Sequence, residues 1–484
     1  MKRYCLLGLF FTVLFCVPVF ADSPFQGYSY NFWGHLVPSP AAYAPARSFG
    51  ATDICPSLER FNNPTDLHVD QDNNIYIVDN GNNRIIIFDV DLNLIEVLEG
   101  FYLHGEFSRF NSPTGVFVSH ERELYIADTL NHRVVILDSD FNFIRQITSP
   151  EIEGLQDDFE FLPLRIVVDH GGRTYVIVQR VFEGIMSFDP YGEFLQYFGT
   201  IHVGFNAIEF FWRLFMTDEQ IGSQVSFIPT EFNNMAIDQY GFIYTTHITV
   251  WYASDQVMRF NPRGDNVIVN FNENVALNGD QRFRPAGTLS GPSMFVDIIA
   301  RSHGRYSTLD STRGRVFTYD SEGNVLYVFS GIGSMDGMTR RPIALEVIGE
   351  DIWVLDAHGH GRITHFVPTE YGALINTAIM KRYDGDEAGA VDAWRQLVTL
   401  DENFSLAWSG IGRSMMAAGY NAEAMQYLRR GMDLRHYSVA FRRNRMEVMQ
   451  NILPNMLTGG AVLIVAYVAF SIFRKKRKKG AVSA

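Results

Sequence analysis

The chain has little cysteine: three in 484 residues, Cys5, Cys16 and Cys55. The first two fall in an apolar leader, so Cys55 stands alone beyond it and no intrachain disulfide can form. An exported protein without disulfides fits a bacterium better than a eukaryotic secretory pathway. Two catalytic signatures are missing as well. There is no G-x-S-x-G elbow and no H-E-x-x-H helix, and Cys55 has no neighbouring histidine. Serine esterases, zincins and thiol hydrolases therefore lose their usual marks. Positive charge is scarce, with 40 Lys and Arg against 54 Asp and Glu and a net charge of −14. Eight of those cations lie at the two ends, and without them the balance falls to −22. So acidic a body excludes nucleic acid as a partner, because that binding works by neutralising phosphates.

The ends come first among what is present. Lys2 and Arg3 precede an apolar run from Leu6 to Val19, and Val19-Phe20-Ala21 resembles a small-residue cleavage site. This predicts a signal peptide over residues 1–21, with an uncleaved anchor as the alternative. The residues before Cys16 are too large for a lipoprotein signal. At the other end, Leu457–Phe473 carries no charge and the block 474–479 is wholly basic. We expect a transmembrane helix over 457–473 and a basic cytoplasmic tail over 474–484. Arg442, Arg443 and Arg445 blunt the charge asymmetry, so the leader sets the orientation. The expected location is the bacterial plasma membrane, single-pass, with the bulk of the chain outside and the bilayer holding its last helix.

Between the ends the chain repeats itself. Ile75–Asp89 reads IYIVDNGNNRIIIFD and Leu124–Asp138 reads LYIADTLNHRVVILD. Prolines 64, 113, 163, 229, 292 and 342 open six such units, each alternating apolar and polar residues in short runs broken by Asp- and Gly-rich turns. That pattern predicts four antiparallel strands per unit. One such sheet cannot bury both faces, but six packed around an axis can. The Asp that ends the second strand can accept amides of the next turn, and the Arg five residues on can reach a carboxylate or carbonyl.

The D-x-x-x-x-R unit after a Tyr-containing strand resembles the NHL repeat, and six copies resemble an NHL six-bladed β-propeller over residues 56–368. The blade motif falls on Asp79 and Arg84, Asp128 and Arg133, Asp310 and Arg315, and on Asp356 with Arg362 one place late. Val178 and His247 stand where the third and fourth units should have Asp. The expected fold is thus an all-β propeller, then a small α-helical segment and one transmembrane helix. The helical segment, residues 369–452, resembles two tetratricopeptide units through Trp408, Ile411, Gly412, Met415, Ala424, Leu428 and Gly431. It reads as a stalk or as a peptide-binding site, and both readings stay open.

Three departures from the repeat mark places for function. NAIEFFWRLFMTDEQIGSQ puts Ile208, Phe211, Trp212 and Phe215 on one helical face, so a helical insertion is expected at about 205–225. Its face either lies on the propeller or meets a partner. The aromatic stretch within residues 22–55 reads as an extended segment packed along the rim, adding a strand to the sixth blade. Trp33 and Tyr43 stacking on a sugar is the alternative.

The starts of the inner strands, which face the channel, are expected at Asp66, Gly115, Arg165, Asn233 or Asn234, Met294 and Ala344. Propellers of the resembled shape include metal-dependent lactonases and amidating lyases, which need acid, Asn or His ligands there. Few of these positions are polar, so neither metal nor cofactor is expected, and His358-x-His360 lacks a third ligand. Asp66, Arg165 and Asn233 at the channel mouth, with Phe211 and Trp212 beside it, are the candidate contacts for a small polar ligand or a protein partner. The leading reading is a membrane-tethered binding or scaffold protein linked to transport or envelope functions. A metal-dependent hydrolase or lyase is the alternative, and whether the chain is an enzyme stays open.

Overall fold

β-branched and aromatic runs cut by Asp and Gly leave little choice but short strands and tight turns. A computed structural model of the chain describes residues 24–150, 159–199, 231–247, 256–271, 277–280 and 292–480. In blade I, Asp66–Val69, Ile75–Asp79, Arg84–Phe88 and Leu94–Leu98 pair antiparallel in that order. Blades II (113–147) and III (163–198) repeat this four-strand order. Among the described residues blade IV shows three strands, between 232 and 260. The turns closing the hairpins explain the scattered aspartates. Asp70 Oδ1 accepts the amides of Asp72 and Asn74 at 2.9 and 2.8 Å, and Asp89, Asp138 and Asp320 repeat the device.

The cores lie between blades. Ile85, Ile87, Leu124 and Ile126 pack blade I on blade II, while Ile75, Ile77, Trp353 and Leu355 pack blade VI on blade I. A closed ring gives every sheet two covered faces, which one blade alone lacks.

The N-terminal segment joins that ring at two places. Strands β1 (Gly27–Tyr30) and β2 (Leu36–Ser39) extend the outer edge of blade V, where Tyr28 pairs with Val328. Strand β3 (Tyr43–Phe49) is the outermost strand of blade VI, paired along Arg362–Pro368. A short helix α1 (Ala51–Ile54) then leads into blade I.

The chain leaves blade VI at Pro368 and enters helix α2 (Glu370–Tyr383) at once, with Thr369 capping the amide of Gly372. Helices α3 (Glu387–Leu400), α4 (Ser405–Ala417) and α5 (Asn421–Arg430) follow as an antiparallel stack. Trp394, Ile375 and Ile379 share one buried cluster with Leu326, Phe329, Val354 and Tyr43 of blades V and VI. The helical region is therefore fused to the propeller wall. A β-carbon on Gly372 would strike the carbonyl of Ala42, so the close seating of α2 requires glycine there. Polar groups stitch the same junction. Tyr327 donates to Asn376 Oδ1 at 2.9 Å, Arg301 donates to Tyr327 at 2.9 Å, and Glu350 accepts from Arg301 and Arg305 at 2.8 Å. Helix α6 (Leu434–Gly480) runs on from this stack for 47 residues. It is long and apolar enough to cross a membrane, and its most apolar stretch is uncovered by the rest of the chain.

Candidate functional site

The six inner strands line the central channel, and their register defines two rings of side chains. Asp66, Gly115, Arg165, Asn234, Asp297 and Ala344 occupy equivalent positions in blades I to VI. Two residues further along stand His68, Phe117, Val167, Ala236, Ile299 and Glu346. A cavity of about 210 Å³ lies among them.

The polar groups of the first ring tie blades together. Asp66 accepts the amide of Val116 in blade II at 2.9 Å. Asp297 accepts the amide of Leu345 in blade VI at 2.6 Å, that of Ile298 at 2.7 Å, and the side-chain amide of Asn234 in blade IV. Arg165 donates to the carbonyls of Thr114 and Leu164 at 2.6 and 2.9 Å and to that of Thr65 at 2.9 Å, so it spans three blades. Its Nε sits 3.8 Å from Asp66 Oδ1. At the Gly115 position a β-carbon would collide with the carbonyl of Leu164, which is why blade II leaves a gap that the long Arg165 side chain can cross.

Burial sets the electrostatics. It pushes the carboxyl of Asp66 up, against the opposing pull of Arg165. It pushes that of Asp297 well above the usual carboxylate range, helped by the charge of Asp66. In the second ring His68 Nδ1 lies 3.2 Å from Glu346 Oε1, while His68 Nε2 is buried without a hydrogen-bond partner. These donors do not fit a divalent cation. Every first-ring carboxylate is engaged by main-chain amides, and a guanidinium stands among them. Among the described residues no group of three His, Cys, Asp or Glu is arranged to hold a metal.

Placement of the sequence candidates follows from this register. Asp66 and Arg165 meet at the channel. Asn233 points instead between blades and donates to the carbonyl of Phe295 at 3.1 Å, while its neighbour Asn234 lines the cavity. The fifth position is Asp297 and not Met294. Counting from the opening prolines fails in blades IV and V because Phe232 and Phe295 take the register position that Pro113, Pro163 and Pro342 hold elsewhere. His68 and Glu346 also escaped a reading confined to strand starts. Phe211, Trp212 and the insertion at 205–225 lie outside the described residues.

The blade motif divides into two kinds. Asp79 accepts the amide of Asn62 at 2.7 Å and pairs with Arg84 at 2.8 Å, and both are buried. Asp128 does the same with Asn111 and Arg133. In blade V, Asp310 holds the amide of Met294 at 3.0 Å, but Arg315 turns away to Asp280 and the hydroxyl of Tyr28. In blade VI, Asp356 accepts the amides of Arg340, Arg341 and His358, and Arg362 reaches Ser48 of β3. Val178 and His247 occupy the Asp position in blades III and IV, and burial lowers the imidazole of His247 to about 4.

The NHL repeat model matches residues 61–88, the first blade from its entry loop to its third strand. No curated protein matches the sequence. Solved structures similar to this chain include virginiamycin B lyase from Staphylococcus aureus, 12% identical over 64% of this chain and 80% of that one, TM-score 0.37. They also include a streptogramin B lyase, 10% identical over 71% and 87%, TM-score 0.38. A gluconolactonase from Xanthomonas campestris is 12% identical over 68% and 97%, TM-score 0.38. Likeness at this level carries nothing about activity. The chain is a six-bladed β-propeller with NHL repeats, continued by a helical region that ends in one long apolar helix.

Proposed function

We propose that this is a membrane-tethered, extracytoplasmic binding and scaffold protein, in which the helical region mounts the propeller on its anchor. One observation carries the reading. The buried cluster of blades V and VI continues without a gap into α2, α3 and α4, and the same stack leads into the uncovered apolar length of α6. A stalk would share no core with its cargo, whereas this one fixes the propeller in a set orientation. Alkaline carbonate should leave the chain in the membrane fraction, and protease added to intact spheroplasts should degrade all but a small tail fragment. Release by carbonate, or a protected propeller, overturns the proposal.

A second reading, a channel hydrolase or lyase, keeps one observation in its favour. Burial raises the carboxyl of Asp297 in the same cavity that holds Arg165, and a raised acid near a fixed cation suits acid catalysis. It would have to work without a metal in the first ring. Any turnover of lactone or ester probes that Asp297→Asn abolishes, with the far-UV circular dichroism of the chain unchanged, would favour it over a binding role.

A further inference from the structure

The stretch that leads into the apolar helix differs in charge from everything else outside the leader and tail. Six arginines, Arg429, Arg430, Arg435, Arg442, Arg443 and Arg445, fall within seventeen residues of a body whose net charge is −22. All six are exposed, and among the described residues none forms an ion pair. The one acid in that stretch, Asp433, is taken by Arg413 at 2.9 Å.

Helix α6 adds a second, independent feature. At 3.6 residues per turn, Phe441, Val448, Met449, Ile452, Leu453 and Met456 share one side. All are exposed, Met449 at 55% and Met456 at 67%. The opposite side faces the protein: Ala440 is fully buried, and Glu447 accepts the side-chain amide of Asn421 in α5 at 2.5 Å. Arg442 and Arg445 stand at the head of the apolar side. Water is a poor neighbour for such a stripe. The span that follows is also short. Seventeen residues rise about 25 Å, less than the roughly 30 Å of a bilayer core. Pro454 lies within the helix near the end of the stripe, just before the span, and provides a place to turn.

We propose that residues 441–456 form an interfacial helix that lies on the anionic surface of the bilayer, with the arginines on lipid phosphates and the apolar side among the acyl chains. This rests on the membrane-tethered reading of α6 and goes further, because it seats the propeller directly on the lipid. Basic charge, a one-sided apolar helix and continuity with the span each favour lipid over a second copy of the chain.

The test uses the full chain in nanodiscs of phosphatidylcholine with and without phosphatidylglycerol. Replacing Cys5, Cys16 and Cys55 together by Ser frees the chain for single labels, and an environment-sensitive dye goes on Met449→Cys or on Leu463→Cys. The Met449 probe should be blue-shifted and quenched by lipid-borne nitroxide when phosphatidylglycerol is present, and should relax toward water in its absence. Replacing Arg442, Arg443 and Arg445 together by Gln should shift the seating equilibrium by roughly a hundredfold at unchanged melting temperature, since each such cation near an anionic surface contributes about fivefold. High salt should act the same way. A Met449 probe in water under all lipids, with Leu463 immersed, overturns the interfacial helix and spares the anchor. Leu463 in water overturns the anchor itself. A Met449 probe shielded in both lipids, with Met449→Cys crosslinking between copies, means a second chain covers the stripe and also overturns the proposal.

Discussion

Blades I and II and blades V and VI use one repeat to different ends. In the first pair each Asp clasps its own Arg, which also reaches back to the segment before its blade, at the Glu59 carbonyl and the Ser108 hydroxyl. In the second pair the Asp still holds its turn, but the Arg is released to outside partners, Tyr28 and Asp280 for Arg315 and Ser48 for Arg362. Those partners belong to the N-terminal strands and the blade IV–V connection. The side chain that seals a regular blade thus becomes, where the ring is finished, a fastener for segments the repeat does not encode. A repeat motif predicts which residues are structural better than it predicts what they hold.

The contrast can be broken by substitution. Asp79→Ala should have the largest effect, about 3–5 kcal/mol, because it strands the buried Arg84 and the amide of Asn62. Chemical denaturation of the full chain in detergent checks it. Asp356→Ala loses three amide bonds but strands no buried cation, so about 1–3 kcal/mol is expected. Equal losses in the two variants would mean the ion pair adds nothing and the blades differ only in wiring. Tyr327→Phe at the fused junction should cost about 1–2 kcal/mol and raise hydrogen exchange in α2 above that in blade I. Arg362→Ala should be smallest, about 0–1 kcal/mol, since its contacts to Ser48 are exposed.

Acidity sharpens the comparison from another side. Asp297 has a raised carboxyl, so its contribution is complete below the ordinary carboxylate pKa of about 4 and is lost as pH rises through its folded value. Asp297→Asn should flatten that limb in a pH series of melting temperatures. At the junction the sign reverses. Burial would raise Glu350, but Arg305 and Arg301 outweigh it and hold the carboxyl low. Its contribution is therefore present above about 4 and lost as pH falls through the folded value. Acid should loosen α2 from blade VI before it opens the channel, with hydrogen exchange as the readout.

The propeller and its blade count were legible because Tyr76, Asp79 and Arg84 recur at a fixed step as Tyr125, Asp128 and Arg133, and a step of that length has few architectures. The candidate site was half legible. Asp66 and Arg165 follow an opening proline by two residues, and the channel holds both. Asp297 stands five residues after Pro292, because a phenylalanine takes the register position that proline fills elsewhere. Spacing alone cannot reveal that exchange. His68 and Glu346 were out of reach for another reason: the bond joins blade I to blade VI across 278 residues, and only ring closure brings the two together. The tetratricopeptide-like spacing marked helices correctly as helices, yet nothing in it told that their buried side would be the propeller itself.

That closing strand has a consequence for how the molecule is made. β3 pairs Tyr43 with Pro368, so one of the earliest stretches to emerge waits for one of the latest. Until residue 368 has arrived, β3 has no strand to pair with and blades I to V form an open arc. Most contacts within a blade are local and fast, whereas this pairing spans more than three hundred residues and sets the pace of the last step. If the chain is threaded across a membrane from its N-terminus, the arc must stay soluble on the far side throughout that wait, and the ring snaps shut only shortly before the anchoring helix follows.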